Sequence, residues 1–315
     1  MSKVKSKHSL LKDLAVIREL AAKYQERKQI KFIREESFFF KKQTKKFSNK
    51  KKKAEYEEAF QLAKELSEKK TPLQLEEVKL LVYLLNEDAE ILWTRDSIIA
   101  FNTTVLPKVP HLEWPYGYKG GAARLALLGL LGEDVSKRKP RDLDIVRVGK
   151  GRIARDKKLA RKYMAKDSAF GWGVEVFSSL SQYMRTRDLT INEVMLSGYK
   201  LCCSFKCIVD TVSSTLRPSE QFFSQLTDKQ KSKIAAKMIR FYSEAVFDGK
   251  DATLLLPPVP KPLPPFDIVL QLDKILERGT KAGELFIETC RSMNLLPKNA
   301  DKDTSLGDVV NTLLE

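Results

Sequence analysis

The chain has 315 residues, with 57 Lys and Arg against 41 Asp and Glu and a formal net charge of +16. Its 43% of hydrophobic residues can fill a sizeable core, which excludes wholesale disorder, and its length suits one large or two modest domains of ~100–200 residues. No run approaches the ~18 consecutive apolar residues of a membrane span, and the first residues lack the apolar stretch and cleavage site of a secretion signal. A cytoplasmic protein is the expectation, with the basic, acid-poor start leaving organelle targeting open.

Residues 1–54 hold 18 basic residues and 5 acidic ones, so most of the charge excess sits in the first sixth of the chain. The run Lys41 to Lys53 contains no acid and should be extended or frayed by self-repulsion. Such an arm suits contact with a polyanion, because neutralising phosphates releases condensed counterions. A solvated tail and an anionic membrane surface are the alternatives. Phe38, Phe39, Phe40 and Phe47 border the run and suit either base stacking or anchoring to the domain.

In chain order, apolar residues at helical spacing predict a helix over 8–30. Two more helices are predicted over 55–69 and 73–85, and an apolar segment runs from Ile91 to Leu106, giving a helical region over 55–110. A cluster of breakers follows, and the texture turns to α/β over 111–215. There a short helix runs from Ala122 to Leu131 and a strand from Asp142 to Val148. A strongly basic helix spans Ile153 to Met164, and a strand covers Val174 to Phe177. Leu189 to Ser197 reads as helix or strand, and Lys200 to Val212 as a strand. A long helix from about Pro218 to Val246 lies within a neck at 216–250. Six prolines between 257 and 265 make 251–265 a stiff linker, and 266–315 reads as a tail of two or three short amphipathic helices.

Cys202, Cys203, Cys207 and Cys290 lack the paired spacing of a structural zinc site and read as reduced core residues. The only histidines, His8 and His111, make a His-dependent nucleophilic mechanism improbable. Catalysis, if present, should rest on carboxylates and metal.

Three pieces in order carry that chemistry. Gly120–Gly121–Ala122–Ala123–Arg124 opens a helix, Asp142–Leu143–Asp144 lies on the predicted strand, and Arg187–Asp188–Leu189–Thr190–Ile191–Asn192 follows. Carboxylates at i and i+2 of a strand share a face, from which hard oxygen ligands suit Mg²⁺. Two metal ions ~3.5–4 Å apart would assist attack and departure in phosphoryl transfer. A Gly-Gly turn into a helix lets backbone N–H groups face a triphosphate. Alone, each piece is weak; the ordered set is specific.

The segments YKGGAARLALLG, KPRDLDIVRV, VEVFSSL and TRDLTINEVML resemble the head domain of the class II tRNA nucleotidyltransferase and bacterial poly(A) polymerase family, within the DNA polymerase β-like nucleotidyltransferase superfamily. The resemblance covers about residues 116–245, under half of the chain. It implies an α+β fold: a polymerase β-like nucleotidyltransferase head, a helical neck and helical N- and C-terminal flanks. Asp142 and Asp144 would be the catalytic, metal-binding carboxylates, with Glu175, a looser match, as a third carboxylate near the metals or an ordinary strand Glu. Gly120, Gly121, Arg124, Arg187, Asp188 and Asn192 would bind the nucleotide, and Asp210 would be structural.

The sequence also departs from the family pattern. Leu125 stands where an Asp follows the Arg, Thr186 replaces the first Arg of the Arg-Arg-Asp run, and Glu193 replaces an Ala. The base-selecting neck motif is not recoverable between Leu226 and Lys237, which leaves either broad nucleotide use or selection by an unrelated residue such as Lys237 or Arg240. The implied activity is Mg²⁺-dependent, template-independent addition of a nucleoside monophosphate from a nucleoside triphosphate to an RNA 3′ end, of tRNA or another structured RNA. A transferase acting on a protein or small molecule, and a non-catalytic RNA-binding component that kept the fold, are the alternatives.

Overall fold

The computed structural model describes residues 50–135, 138–140, 142–163, 174–302 and 305–314. The helix expected over 8–30 and nearly all of the basic arm lie outside the described residues. Helices α1 (Lys50–Glu68) and α2 (Leu75–Leu85) open the described chain. The next stretch corrects an expectation, because the helical region over 55–110 contains two strands, β1 (Glu90–Arg95) and β2 (Ile98–Asn102). They form an antiparallel hairpin whose turn residues Asp96 and Ser97 take φ of 52° and 60°. The apolar runs Ile91–Trp93 and Ile98–Phe101 are too short to show a period, whereas the short polar residues between them tolerate the left-handed turn and β-branched Ile98 and Ile99 favour the strand after it.

β3 (Tyr116–Tyr118) leads into α3 (Gly120–Leu130). β4 (Ile145–Val148) follows, then the basic helix α4 (Ile153–Tyr163), β5 (Glu175–Phe177) and α5 (Leu180–Arg185). Asp142 and Asp144 therefore precede the strand expected to carry them. A 3₁₀ turn over Thr190–Asn192 enters β6 (Val194–Ser197), which pairs antiparallel with β7 (Lys200–Ser204). The strand expected to reach Val212 stops at Ser204 and becomes α6 (Phe205–Val212), because Ser204 Oγ accepts from the Cys207 N–H at 3.0 Å and caps the new helix.

β8 (Thr215–Leu216) comes next. The single helix expected over 218–246 is divided into α7 (Glu220–Phe223) and α8 (Asp228–Phe247). The segment expected as linker begins with β9 (Thr253–Leu254), parallel to β8. The tail holds four helices, α9 (Pro265–Leu276), α10 (Thr280–Ser292), α11 (Lys298–Asp301) and α12 (Leu306–Leu314).

The fold is α+β. Its mixed sheet has the order β1-β2-β7-β6-β3-β4-β5, with β4 and β5 parallel and the other neighbours antiparallel. Period-two alternation supplies both faces. Ile99, Phe101, Ile145, Val194, Leu196, Leu201 and Cys203 join residues of α1, α2, α3 and α6 in one core. Ile98, Ala100, Val146, Val148, Met195 and Cys202 join Tyr183 and Met184 of α5 in another.

The chain divides into two compact units. One comprises Glu55–Ile234 with Lys250–Pro258; the other includes Ala235–Gly249 with Val259–Glu315. In the second, Arg240 donates to Gln271 at 2.9 Å and to Glu244 at 2.6 Å, and Arg278 donates to Asp248 at 2.8 and 2.9 Å. All four cysteines are free and buried, as their reading as core residues required. No described helix is long and apolar enough to cross a membrane.

Candidate active site

The site is built where β3 ends and β4 begins. Antiparallel register sets Tyr118 against Ile145, and the ladder extends one step, with the Lys119 N–H donating to the Asp144 carbonyl at 3.0 Å. Gly120 then turns into α3 with φ of +61°, a left-handed conformation natural to glycine. A Cβ at this position would stand 3.3 Å from Asp144 Oδ2. The half-buried Asp144 carboxylate thus lies against the Gly-Gly turn, and the exposed Asp142 is two residues before it.

The start of α3 carries no side-chain cap and no acidic residue in its first turn. Its leading N–H groups and the positive end of the helix dipole are suited to an anion. One turn on, Arg124 donates to Asn192 Oδ1. The Asn192 amide donates to Asp188 Oδ1 at 2.7 Å, and the same oxygen accepts from the Leu189 N–H at 3.0 Å. The expected residues Arg124, Asp188 and Asn192 are therefore one connected network, which ties the 3₁₀ turn to the first turns of α3.

Glu175 and Arg187 belong to a second network. The parallel register of β4 with β5 sets Glu175 beside Val146, two residues from Asp144. Glu175 accepts from Lys119 through Oε1 and from Arg187 through Oε2, the latter at 3.3 Å. Burial pushes the Glu175 carboxyl up, but Lys119 and Arg187 outweigh it and hold the carboxyl below its ordinary value. Arg187 also donates to the Tyr183 carbonyl at 3.1 Å, and its guanidinium lies 4.4 Å from the Tyr183 ring centroid. Thus Glu175, expected near the metals, is engaged by two cations.

A magnesium ion is commonly held by one or two carboxylates, with phosphates and water completing its octahedron. Asp142 and Asp144, two residues apart before β4, are the two carboxylates that would serve there. Among the described residues no group of three or more His, Cys, Asp or Glu side chains is gathered for a metal ion. Glu175, engaged by Lys119 and Arg187, is not gathered with the two aspartates into such a group.

Supports behind these networks fix the elements. Asp210, read as structural, is buried; it accepts from Arg217 at 2.7 and 2.9 Å and from Thr190 Oγ1 at 2.5 Å. The Thr190 bond ties α6 to the 3₁₀ turn. Glu193, which departs from the family pattern, accepts from Ser204 at 2.5 Å and from Ser219. Lys119 was not singled out from the sequence, although it directly precedes the paired glycines. Its role depends on strand register, and only its position offered a clue.

Arg240, a stand-in for base selection, is held by Gln271 and Glu244 as described above, and its side chain is only 11% exposed. It has no surplus of exposed surface for reading a base edge.

No protein-family model matches the sequence, and no curated protein matches it. Among solved structures, the chain is similar to a tRNA-processing enzyme in an apo form, at 18% identity over 63% of this chain and 61% of that one, with a TM-score of 0.38. It is also similar to a CCA-adding enzyme in complex with ATP, at 16% identity over 61% of this chain and 50% of that one, with a TM-score of 0.36. For a CCA-adding enzyme complex with CTP the values are 17%, 59%, 50% and 0.33. The chain therefore spans about three-fifths of the first solved chain and half of the other two.

Proposed function

We propose that this chain is a nucleotidyltransferase that moves a nucleoside monophosphate from a nucleoside triphosphate to the 3′ end of an RNA, such as a tRNA, and releases pyrophosphate. The observation that carries this reading is the Asp144 carboxylate set against Gly120, at the uncapped start of α3. A carboxylate beside an anion-binding turn suits chemistry in which a metal-bound polyphosphate must be oriented.

In this reading the leading N–H groups of α3 bind the β- and γ-phosphates. Arg124, fixed by Asn192 and Asp188, orients the nucleotide beside the turn. Arg187, held by Glu175 and the Tyr183 carbonyl, supplies a positioned positive charge. Asp142 and Asp144 would hold Mg²⁺, which when bound lowers the pKa of the RNA hydroxyl and neutralises charge on the leaving pyrophosphate. The 3′ oxygen forms a bond to the α-phosphorus while the bond to the bridging oxygen breaks, and the hydroxyl proton passes to solvent. No histidine is required, in keeping with the chain's two.

The test is incubation of the full chain with Mg²⁺, each labelled nucleoside triphosphate in turn, and a mixture of small RNAs. A lengthened RNA that depends on Mg²⁺, and is lost in Asp142→Ala and Asp144→Ala proteins with unchanged melting, supports the reading. RNA binding without transfer of any nucleotide would replace it with a non-catalytic RNA-binding component. Transfer to a protein or small molecule instead of RNA would leave the chemistry and overturn the acceptor.

A further inference from the structure

We propose that the outward face of α4 is a docking track for an RNA sugar-phosphate backbone, leading along the sheet toward Asp144. This rests on RNA being the acceptor in the proposed function.

The segment from Lys150 to Tyr163 contains seven basic residues and a single acid, Asp156. Within α4 helical phase separates four of them from the side that meets the sheet, while Arg155 lies over the Tyr116 ring. Asp156, Leu159 and Tyr163 recur on the side that meets the sheet, where Leu159 and Tyr163 pack against the larger core. Ala154, Lys157, Lys158, Arg161 and Lys162 occupy the opposite side and line a shallow concavity there. All five are exposed.

The one acid cannot neutralise that face. Asp156 is buried, accepts from Arg147 Nε at 3.0 and 3.2 Å and from Arg147 Nη2 at 3.1 Å, and accepts from the Tyr116 hydroxyl at 2.8 Å. Its charge is spent inward, on the strand behind the helix. Among the described residues no acid forms an ion pair with Lys157, Lys158, Arg161 or Lys162. Lys162 lies 4.9 Å from the Tyr163 ring centroid, a contact that leaves its charge uncompensated.

The direction of the helix links the face to the site. Near its start, Asp156 meets Tyr116 and Arg147, which pair with one another across β3 and β4. Near its end, Tyr163 interacts with Tyr118, the residue paired with Ile145. The helix therefore runs back along β4, and its last turn, with Arg161 and Lys162, ends beside the strand end that Asp144 precedes. A row of cations on an exposed helix is complementary to regularly spaced phosphates and carries no base-reading group, so recognition should be independent of sequence.

The experiment measures binding of the full chain to a labelled RNA hairpin with a single-stranded 3′ overhang, without nucleoside triphosphate or Mg²⁺, across a salt series. In the Lys157→Ala/Lys158→Ala/Arg161→Ala/Lys162→Ala variant we expect affinity to weaken about tenfold or more. The log–log salt slope should shrink by roughly 0.7 for each phosphate released. Alanine favours helix, and a melting curve checks the fold; a Lys158→Ala/Arg161→Ala variant should show a smaller loss of the same kind. A control lacking four exposed lysines elsewhere in the same unit, Lys200, Lys206, Lys229 and Lys233, should bind like the parent. Equal losses in control and α4 variant, or no loss in the α4 variant, would overturn the docking track. So would a polyglutamate peptide that binds as tightly as the RNA and loses as much in the variant. Because no transfer is measured, failure of the chemistry leaves this outcome intact, and failure of the track leaves the transfer assay to stand or fall alone.

Discussion

Asp144 Oδ2 stands 3.3 Å from the place where a side chain on Gly120 would begin. Gly120→Ala would combine left-handed strain of about 1–2 kcal/mol with a tight approach to the carboxylate. We expect a stability loss of that order and a fall in nucleotide transfer of about 100-fold, the scale set by misplacing a reacting group. Chemical denaturation and transfer kinetics check the two halves. A well-folded variant with full transfer would show that the turn does not bind the phosphates.

Glu175 gives an acid-side signature. Its carboxyl is lowered by Lys119 and Arg187 despite burial. The charged pair therefore contributes stability above the ordinary carboxyl value of 4.5, and the contribution is lost as pH falls through the lowered value. Glu175→Gln should remove that part of the pH dependence and reduce transfer at neutral pH, because Lys119 and Arg187 lose their shared anchor. Denaturation midpoints taken from ~pH 6 to ~pH 3 compare the slopes. Identical slopes in variant and parent would show that Glu175 makes no net linkage.

The reverse sign is expected at Glu193. Burial raises its carboxyl, opposed by hydrogen bonds from Ser204 and Ser219. The folded state then holds a proton that the unfolded state releases, so stability declines as pH rises from 4.5 through the raised value. Glu193→Gln should flatten this decline and be at least as stable as the parent near neutrality, read from urea denaturation at two pH values. A variant that is less stable at neutral pH would show that the serine hydrogen bonds require the charged form.

The Arg217–Asp210 pair is a structural test. Breaking it by Arg217→Met leaves Asp210, almost fully buried, without its cation, at an expected cost of about 3–5 kcal/mol. Combining Arg217→Met with Asp210→Asn should recover part of that loss, since no uncompensated charge remains. Denaturation of the two single variants and the double variant measures the coupling; additive losses would show that the residues act independently.

The elements that were legible in the sequence are those whose chemistry is local. Paired glycines announce a helix entry, and α3 begins at Gly120. The alternation in DLDIVRV announces a strand, although the strand proper is only Ile145–Val148, because its partner β3 ends at Tyr118 and, one ladder bond further on, the chain turns at Gly120. The β1–β2 hairpin was illegible because Ile91–Trp93 and Ile98–Phe101 are short apolar runs that fit helix or strand alike, and Asp96–Ser97 is a weak turn signal. The start of α6 was missed because Ser204 ends one element and caps the next. Lys119 and Arg217 act through partners 56 and 7 residues away, fixed by register and packing that no local pattern records.

The buried thiols give each unit its own chemical clock. Cys202, Cys203 and Cys207 lie in the unit that holds the sheet, and Cys290 lies in the other. Burial pushes Cys202 up to about 12 and raises the remaining three, so none offers a reactive thiolate while its surroundings stay closed. Alkylation at any of them therefore records an opening event, and the labelled peptide reveals which unit opened. Mass spectrometry of pulse-labelled protein could follow the two halves of the molecule separately, with no cysteine added or removed.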